Sequence, residues 1–355
     1  MSSRRIPSDS PRIAVVFTQP HRLSKGDEMD IRSEDGVGDA AECVAGALRD
    51  EGLQARSMEM GEDVASLIQR LSEWDTDVVF NLAETVQGES SLESFVPNLL
   101  DFLGFPYTGS DPAAINLCLD KARTKEALRA HGIPTPAYQV MENSSLDSFA
   151  LPFPVVVKPL REDGSLGIHE HSVVKKDVQL RKQVEYILSN YRQPALVESY
   201  AGDREFNVSL LGNAPPLILP PCEIDYSKMP EGLPKIVGFK AKWFPASPEY
   251  RGSLPVCPAP ISGKLLEQVE QTAVAAFRAC GVRDYGRVDL RWDGENAPAV
   301  IDVNPNPAIT QDSGFVISAH QGGIPYADLV EKIVRFALAR KDASRRADGL
   351  LPSHN

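Results

Sequence analysis

The sequence predicts an α/β protein of more than one domain, on three observations. From Ile13 to Leu103, strand-like apolar runs alternate with segments of helical period. A second, α+β pattern begins after the proline-rich Gly132-Ile-Pro-Thr-Pro136, which cannot continue a helix. Near the end, two strands carry polar residues on one face: Tyr285-Gly-Arg-Val-Asp-Leu-Arg291 and Pro298-Ala-Val-Ile-Asp-Val-Asn304. At 355 residues the chain exceeds an average domain of roughly 100 to 200 residues and should divide into two or three.

Taken in order, Ile13 to Phe17 reads as a strand. A helix follows through Val37, Ala41, Val44 and Leu48, another through Val64, Leu67, Ile68 and Leu71, then a strand from Asp77 to Leu82. Leu92, Phe95, Val96, Leu99, Leu100 and Leu103 form a further helix face, closed by Gly104. Past a helix carrying Lys121 and Lys125, Phe153 to Lys158 and Ala195 to Glu198 read as strands around a helix through Val184, Ile187 and Leu188. Several strands follow Glu205, then a helix through Leu265, Val269, Thr272, Ala276 and Cys280, the polar strand pair, and a closing helix through Leu329, Ile333, Val334 and Phe336. Residues 1–10 and 341–355 are polar and predicted to fray.

A formal charge of −12 argues against a general nucleic-acid or anionic-membrane surface, since both attract basic patches. An anionic substrate must then meet a local group of Lys and Arg. Cys43, Cys118, Cys222, Cys257 and Cys280 are scattered without a Cys-x-x-Cys, which predicts reduced thiols rather than a disulfide framework or a zinc site. No apolar signal core or bilayer-length run is seen, so a cytoplasmic location is expected.

In a strand, side chains two apart share a face, so Arg287 projects with Asp289 and Asp302 with Asn304, while Val288, Leu290, Ile301 and Val303 face inward. Side by side, these strands bring together two carboxylates and an amide oxygen, hard ligands suited to Mg²⁺. A surface ion pair on a half-exposed sheet accounts for the same pattern. Lys158 ends an apolar strand before Asp163-Gly-Ser-Leu-Gly-Ile168, an arrangement that fits either a phosphate cradle or a tight turn with a solvated lysine. Glu198, Tyr200 and Glu205 fall where a strand leaves into a short linker, which suits either a purine edge and ribose hydroxyls or a plain turn. His169-Glu-His171 lacks a third ligand nearby and is read as an exposed hairpin without metal.

The order of these pieces is more specific than any one of them. Leu119-Asp-Lys121, Val156-Val-Lys158-Pro, Gly164-Ser-x-Gly167, Leu196-Val-Glu198, Arg204-Glu205-Phe, Ala241-Lys242-Trp, Gly286-Arg-Val-Asp289 and Ile301-Asp-Val-Asn304, with Pro106-Tyr-Thr-Gly-Ser110, resemble the ATP-grasp fold in its D-alanine:D-alanine ligase branch. The resemblance covers residues 80–338. It implies an N-terminal open parallel-sheet domain at 1–113, a central α+β lid at 114–198, a metal-bearing catalytic domain at 199–340 and a tail at 341–355. It further implies that Lys121 and Lys158 meet the phosphates of ATP under a flap holding Ser165, that Glu198, Tyr200 and Ala201 meet adenine, and that Glu205 meets ribose. Lys242 would reach the terminal phosphate, Asp289, Asp302 and Asn304 would hold one or two Mg²⁺ (with Mn²⁺ able to substitute), Arg287 would face the reacting centre, and Ser313 would bind a substrate carboxylate.

The chemistry so implied is ATP-dependent joining of a small carboxylate to an amine, both amino acids or their derivatives by resemblance, through an acyl phosphate, with a homodimer as the family's expectation. The other readings are an ester-forming or ring-closing ligase and an inactive nucleotide sensor. Departures from the family pattern gather at the amino-acid pockets. The glutamate after the first strand is missing from Phe17-Thr-Gln-Pro-His-Arg22, and Asn81-Leu-Ala-Glu84 replaces a His-Gly pair. Gly164, Trp243 and Ala308 replace a serine, a tyrosine and a glycine, and Asp302 stands for a glutamate. These changes point away from D-alanyl-D-alanine synthesis toward a larger or differently charged substrate, with Arg22, Glu84, Arg251 and Gln311 as candidate contacts.

Overall fold

The structure is a computed structural model that describes residues 10–20 and 22–348. The first and last residues expected to fray, 1–9 and 349–355, lie outside them. Strand β1 (Arg12–Phe17) pairs in parallel with β2 (Gln54–Glu59) on one side and β3 (Val78–Asn81) on the other. The βα alternation in the sequence has this cause: β1 is buried on both faces, so it reads as an unbroken apolar run. Ile13 and Val15 pack toward helix α1 (Val37–Asp50), while Ala14 and Val16 pack toward α2 (Val64–Glu73) and α3 (Phe95–Leu103). Gly104 ends α3 in the left-handed conformation, as its position predicts.

Helices α4 (Pro112–Leu119) and α5 (Lys121–Ala130) lead into a four-stranded antiparallel sheet. Its order is β4 (Tyr138–Met141), β7 (Ala195–Ser199), β5 (Val155–Pro159), β6 (Val173–Val174). Helix α6 (Asp177–Asn190) covers one face through Leu180, Val184 and Ile187 against Val155, Val157 and Val197. Period-two alternation then turns Lys158 and Glu198 to the opposite face.

The third sheet holds β8 (Arg204–Leu211), β9 (Leu217–Ile218), β10 (Cys222–Asp225), β11 (Leu254–Val256), β12 (Tyr285–Trp292) and β13 (Ala299–Asn304). Between β10 and β11 lie the short helices α7 (Phe239–Trp243) and α8 (Pro248–Arg251). Helix α9 (Gly263–Ala279) buries Val269, Ala273, Ala276 and Phe277 against Phe206, Val208, Val288, Leu290 and Val303. Helix α10 (Gly314–Gln321) precedes α11 (Tyr326–Asp348), which runs into the stretch expected as a tail. Leu329, Ile333, Val334 and Ala337 of α11 pack on the first sheet, so the end of the chain closes the N-terminal core.

Two features were not foreseen. Cys222 and Cys257 form a disulfide with a Cα–Cα separation of 4.4 Å, which corrects the expectation of reduced thiols at these positions. Antiparallel pairing of Glu223 with Val256 makes the two cysteines the next cross-strand neighbours, a proximity hidden by 35 residues of separation. The second is the 3₁₀ turn Glu28–Glu34, which bridges the first sheet and the central lid. Tyr186 donates to Asp27 at 2.5 Å, Asn190 to Asp27 at 2.8 Å and Tyr191 to Asp30 at 2.6 Å. Arg32 lies over the Phe244 ring at 4.5 Å, tying the same turn to the segment after α7.

The strand exit after β7 turns at Gly202, with φ +92°. A Cβ there would lie 2.3 Å from the Trp292 carbonyl oxygen and 2.5 Å from the Asp293 Cα, both backbone atoms that cannot rotate away. Gly202→Ala is therefore expected to lower stability by roughly 1–3 kcal/mol. An unchanged urea midpoint would show that the turn relaxes at no cost.

Candidate active site

The polar faces of β8, β12 and β13 meet beneath the central sheet. Arg287 is the cross-strand partner of Asn304, and Asp289 of Asp302. Asp289 sits at the centre of a donor ring: Arg287 binds it through Nε at 2.7 Å and Nη2 at 2.8 Å, Asn207 Nδ2 at 2.8 Å and Asn304 Nδ2 at 3.1 Å. These donors fix the carboxylate's orientation. Because the Asn304 amide nitrogen faces Asp289, its oxygen is left for a ligand. Two carboxylates on adjacent strands and one amide oxygen form a hard donor set that fits Mg²⁺, which needs only one or two protein carboxylates beside phosphate and water oxygens.

Lysines enter the cleft from above. Lys121, placed at the start of α5 by the Asp120 cap, is 4 % exposed and lies 3.6 Å from Asp302 and 3.2 Å from Asp163. Lys158 donates to the Ile301 carbonyl at 3.4 Å, which joins the central sheet to the metal strand. Its Nζ is also 2.7 Å from Glu198 Oε1, while Lys125 Nζ is 2.7 Å from Glu198 Oε2. All three of these side chains are buried. Burial opposes ionisation of Glu198, but the two ammonium groups outweigh it and hold its carboxyl down at about 2.

Beside Arg287 a cavity of about 160 Å³ opens between the catalytic sheet and the N-terminal domain. Lys242, Arg287 and Asn304 line one side, Asp163 and Gly164 of the turn after β5 another, and Glu34, Glu84 and Glu93 the wall toward the first sheet. The Glu84 side chain is exposed to the cavity, with protein groups packed around its mouth. Burial first, and Glu34 next, push its carboxyl up to about 7, with Lys242 opposing. A carboxyl raised on folding binds more protons in the native state, so stability should fall as pH rises from about 4.5 to about 7. Glu84→Gln should remove that part of the slope. Parallel urea-midpoint profiles for the two proteins across this window would contradict it.

Not every residue expected at the site reaches it. Ser165 donates to the Val237 carbonyl at 2.9 Å and does not line the cavity. Ser313 caps α10 through Val316 N at 3.4 Å. The Glu198 side chain points at two lysines, and the Tyr200 N–H donates to the Pro154 carbonyl at 3.1 Å just before Ala201 at the strand exit. Glu205 corrects the linker reading: it lies inside β8, 6 % exposed, accepting from Tyr226 at 2.9 Å with Arg291 3.8 Å away. Of the candidate contacts, only Glu84 lines the cavity beside Arg287. Arg22 and Gln311 line separate surface depressions, and Arg251 donates to the Ala246 carbonyl at 3.0 Å. His169 and His171 lie in turns, with His169 packed against Tyr186.

Sequence reasoning missed the counter-ion role of Lys125, the Asn207 donor and the wall residues Glu34 and Glu93. Asn207 carried a signal, since a polar residue between Phe206 and Val208 in an apolar strand must face a polar partner. Glu34 carried none, lying in a charged stretch that looks like a solvated loop.

A parallel-sheet domain followed by two antiparallel sheets that clasp lysines over a hard-oxygen strand pair is the arrangement of ATP-grasp ligases. The family described as "D-ala D-ala ligase C-terminus" matches residues 127–335. The D-alanine–D-alanine ligase of Sphingopyxis alaskensis is 33 % identical over 302 residues, covering 83 % of this chain and 91 % of that protein. An uncharacterized protein of Sinorhizobium fredii, y4sG, is 36 % identical over 308 residues, covering 85 % and 88 %. Among solved structures, the D-alanine–D-alanine ligase of Bacillus anthracis complexed with ATP aligns with a TM-score of 0.74 at 22 % identity, over 94 % of this chain and 100 % of that one. The chain belongs to the D-alanine–D-alanine ligase-like branch of the ATP-grasp superfamily. Among the described residues, no helix is long and apolar enough to cross a membrane.

Proposed function

We propose that this protein joins a carboxylate to an amine at the expense of ATP, through an acyl phosphate, releasing ADP and phosphate. The observation that carries the reading is convergence: Lys121 meets Asp302, Lys158 meets the backbone of the same strand, and Lys242, Arg287 and Asn304 share one cavity. Asp289, Asp302 and Asn304 would hold Mg²⁺, which neutralises phosphate oxygens when bound. Lys121 and Lys158 supply further positive charge from the lid, so that a carboxylate can approach a triphosphate without prohibitive repulsion. A phosphorylated carboxylate has a good leaving group, and attack by an amine pushes charge onto the former carbonyl oxygen. Arg287, locked in place by its two bonds to Asp289, is the nearby group suited to stabilise that charge. Enclosure under the turn at Asp163 and Gly164 limits hydrolysis of the acyl phosphate.

The test is phosphate release from ATP and Mg²⁺ over pooled amino acids and small acids, followed by mass analysis of any productive pool. The expected product carries one new amide bond for each phosphate released. Asp289→Ala should abolish it, since the variant loses a metal ligand and unseats Arg287. Phosphate release that never depends on an added amine would sink the amide reading, and full turnover by Asp289→Ala would remove the metal assignment.

A further inference from the structure

The cavity beside Arg287 is unevenly charged. Arg287 is committed to Asp289, and Asp163 is paired with Lys121, which leaves Lys242 as the lining cation. Facing it are Glu34, Glu84 and Glu93. Among the described residues none of these three has a Lys or Arg within ion-pair distance. Glu34 and Glu93 are only 7 % and 6 % exposed. Glu34 has two hydroxyl contacts, from Thr85 at 3.0 Å and Ser33 at 3.2 Å, and the amide nitrogen of Asn306, which shares the cavity lining with Glu93, is buried without a hydrogen-bond partner. Hydroxyls do not neutralise carboxylates held this far from water, and burial raises the pKa of both groups.

A metal ion bound to all three glutamates does not answer the imbalance, because among the described residues no three acidic, His or Cys side chains come together closely enough to share one. An organic cation does, since it can spread its donors over a wider wall. Val37, Ala40, Leu82 and Ile309 add apolar surface to the same cavity. An aliphatic stem ending in a charged group matches this lining at both levels.

We propose that one of the two substrates carries a cation on an aliphatic stem, as a basic amino acid does, with its charged end on Glu34, Glu84 and Glu93 and its reacting end toward Arg287. This rests on the ligase reading for the orientation of the reacting end, but the charge preference is a property of the wall itself. Glu34 and Glu93 are then specificity residues. Glu34 is delivered by the 3₁₀ turn Glu28–Glu34, which gives this chain a wall that the ATP-facing motifs do not provide.

The experiment compares lysine, ornithine and arginine, in both enantiomers, with norleucine and alanine. Binding to the full chain is measured by calorimetry with Mg²⁺ and a non-hydrolysable ATP analogue, and turnover by phosphate release with ATP. Basic amino acids are expected to bind at least about tenfold more tightly than norleucine, which has the same stem without the charge. Glu34→Gln, and independently Glu93→Gln, should shrink that ratio by about tenfold through the affinity for the basic ligand, with circular dichroism confirming that each variant folds. Equal binding of lysine and norleucine would overturn the proposal, as would an undiminished ratio in both variants. Preferential binding of lysine without ATP-dependent phosphate release upholds the charge preference and removes the ligase reading. Turnover of neutral amino acids alone does the reverse.

Discussion

Glu198→Ala is expected to lose about 3–5 kcal/mol of unfolding free energy, the range seen when one partner of a buried ion pair is removed. The side chain separates two lysines, 2.7 Å from each, and both ammonium groups would remain buried without a counter-ion. The cause is uncompensated charge rather than lost packing, which a second substitution can separate. Adding Lys125→Met to Glu198→Ala removes one stranded ammonium and should recover part of the loss. Acid provides an independent check. Folding depresses the Glu198 carboxyl to about 2, so its stabilising contribution is fully present above about 4.5 and disappears as pH falls from there toward 2. A loss below about 1 kcal/mol in urea titration at neutral pH would mean that water reaches this triad.

Arg287→Ala should lower kcat by about 10²–10³, the usual effect of deleting one preorganised donor to a developing oxyanion. Its effect on stability should be far smaller, because Asn207 and Asn304 still donate to Asp289. Arg287→Lys should rescue little, since an ammonium cannot span both oxygens of Asp289 with parallel bonds. Steady-state phosphate release on the productive substrate pair measures both. A kcat within about threefold of wild type in Arg287→Ala would exclude this residue from the chemical step.

What could be read from the sequence follows from what is local. The face-sharing of Arg287 with Asp289 and of Asp302 with Asn304 is a property of strand geometry, and pairing of the two strands in that register is observed. The two-sided burial of β1 was likewise visible as a run without alternation. Lys158 was correctly placed at a strand end, but its partner depends on how β5 pairs with β7 and where α5 lands, which no local pattern encodes. The same holds for Cys222 and Cys257, brought together by strand register, and for Ser165 and Ser313, whose hydroxyls are taken by nearby backbone. Glu34 shows the limit most clearly. Its stretch is as polar as a surface loop, and only the tertiary fold turns it inward.

The anchoring of the 3₁₀ turn has a kinetic consequence. Asp27 and Asp30 hold the tyrosines of α6 while Arg32 rides on Phe244, so the turn fastens the lid, the first domain and the segment bearing Lys242 to one another, beside further contacts such as Ser90 to Glu162 at 2.6 Å. Uncovering the cleft either breaks those bonds or carries the turn, and Glu34 with it, along as one body. Under the ligase reading, admission of substrate and departure of product would then share that one event, and weakening the fastening would change the pace at which the mouth cycles.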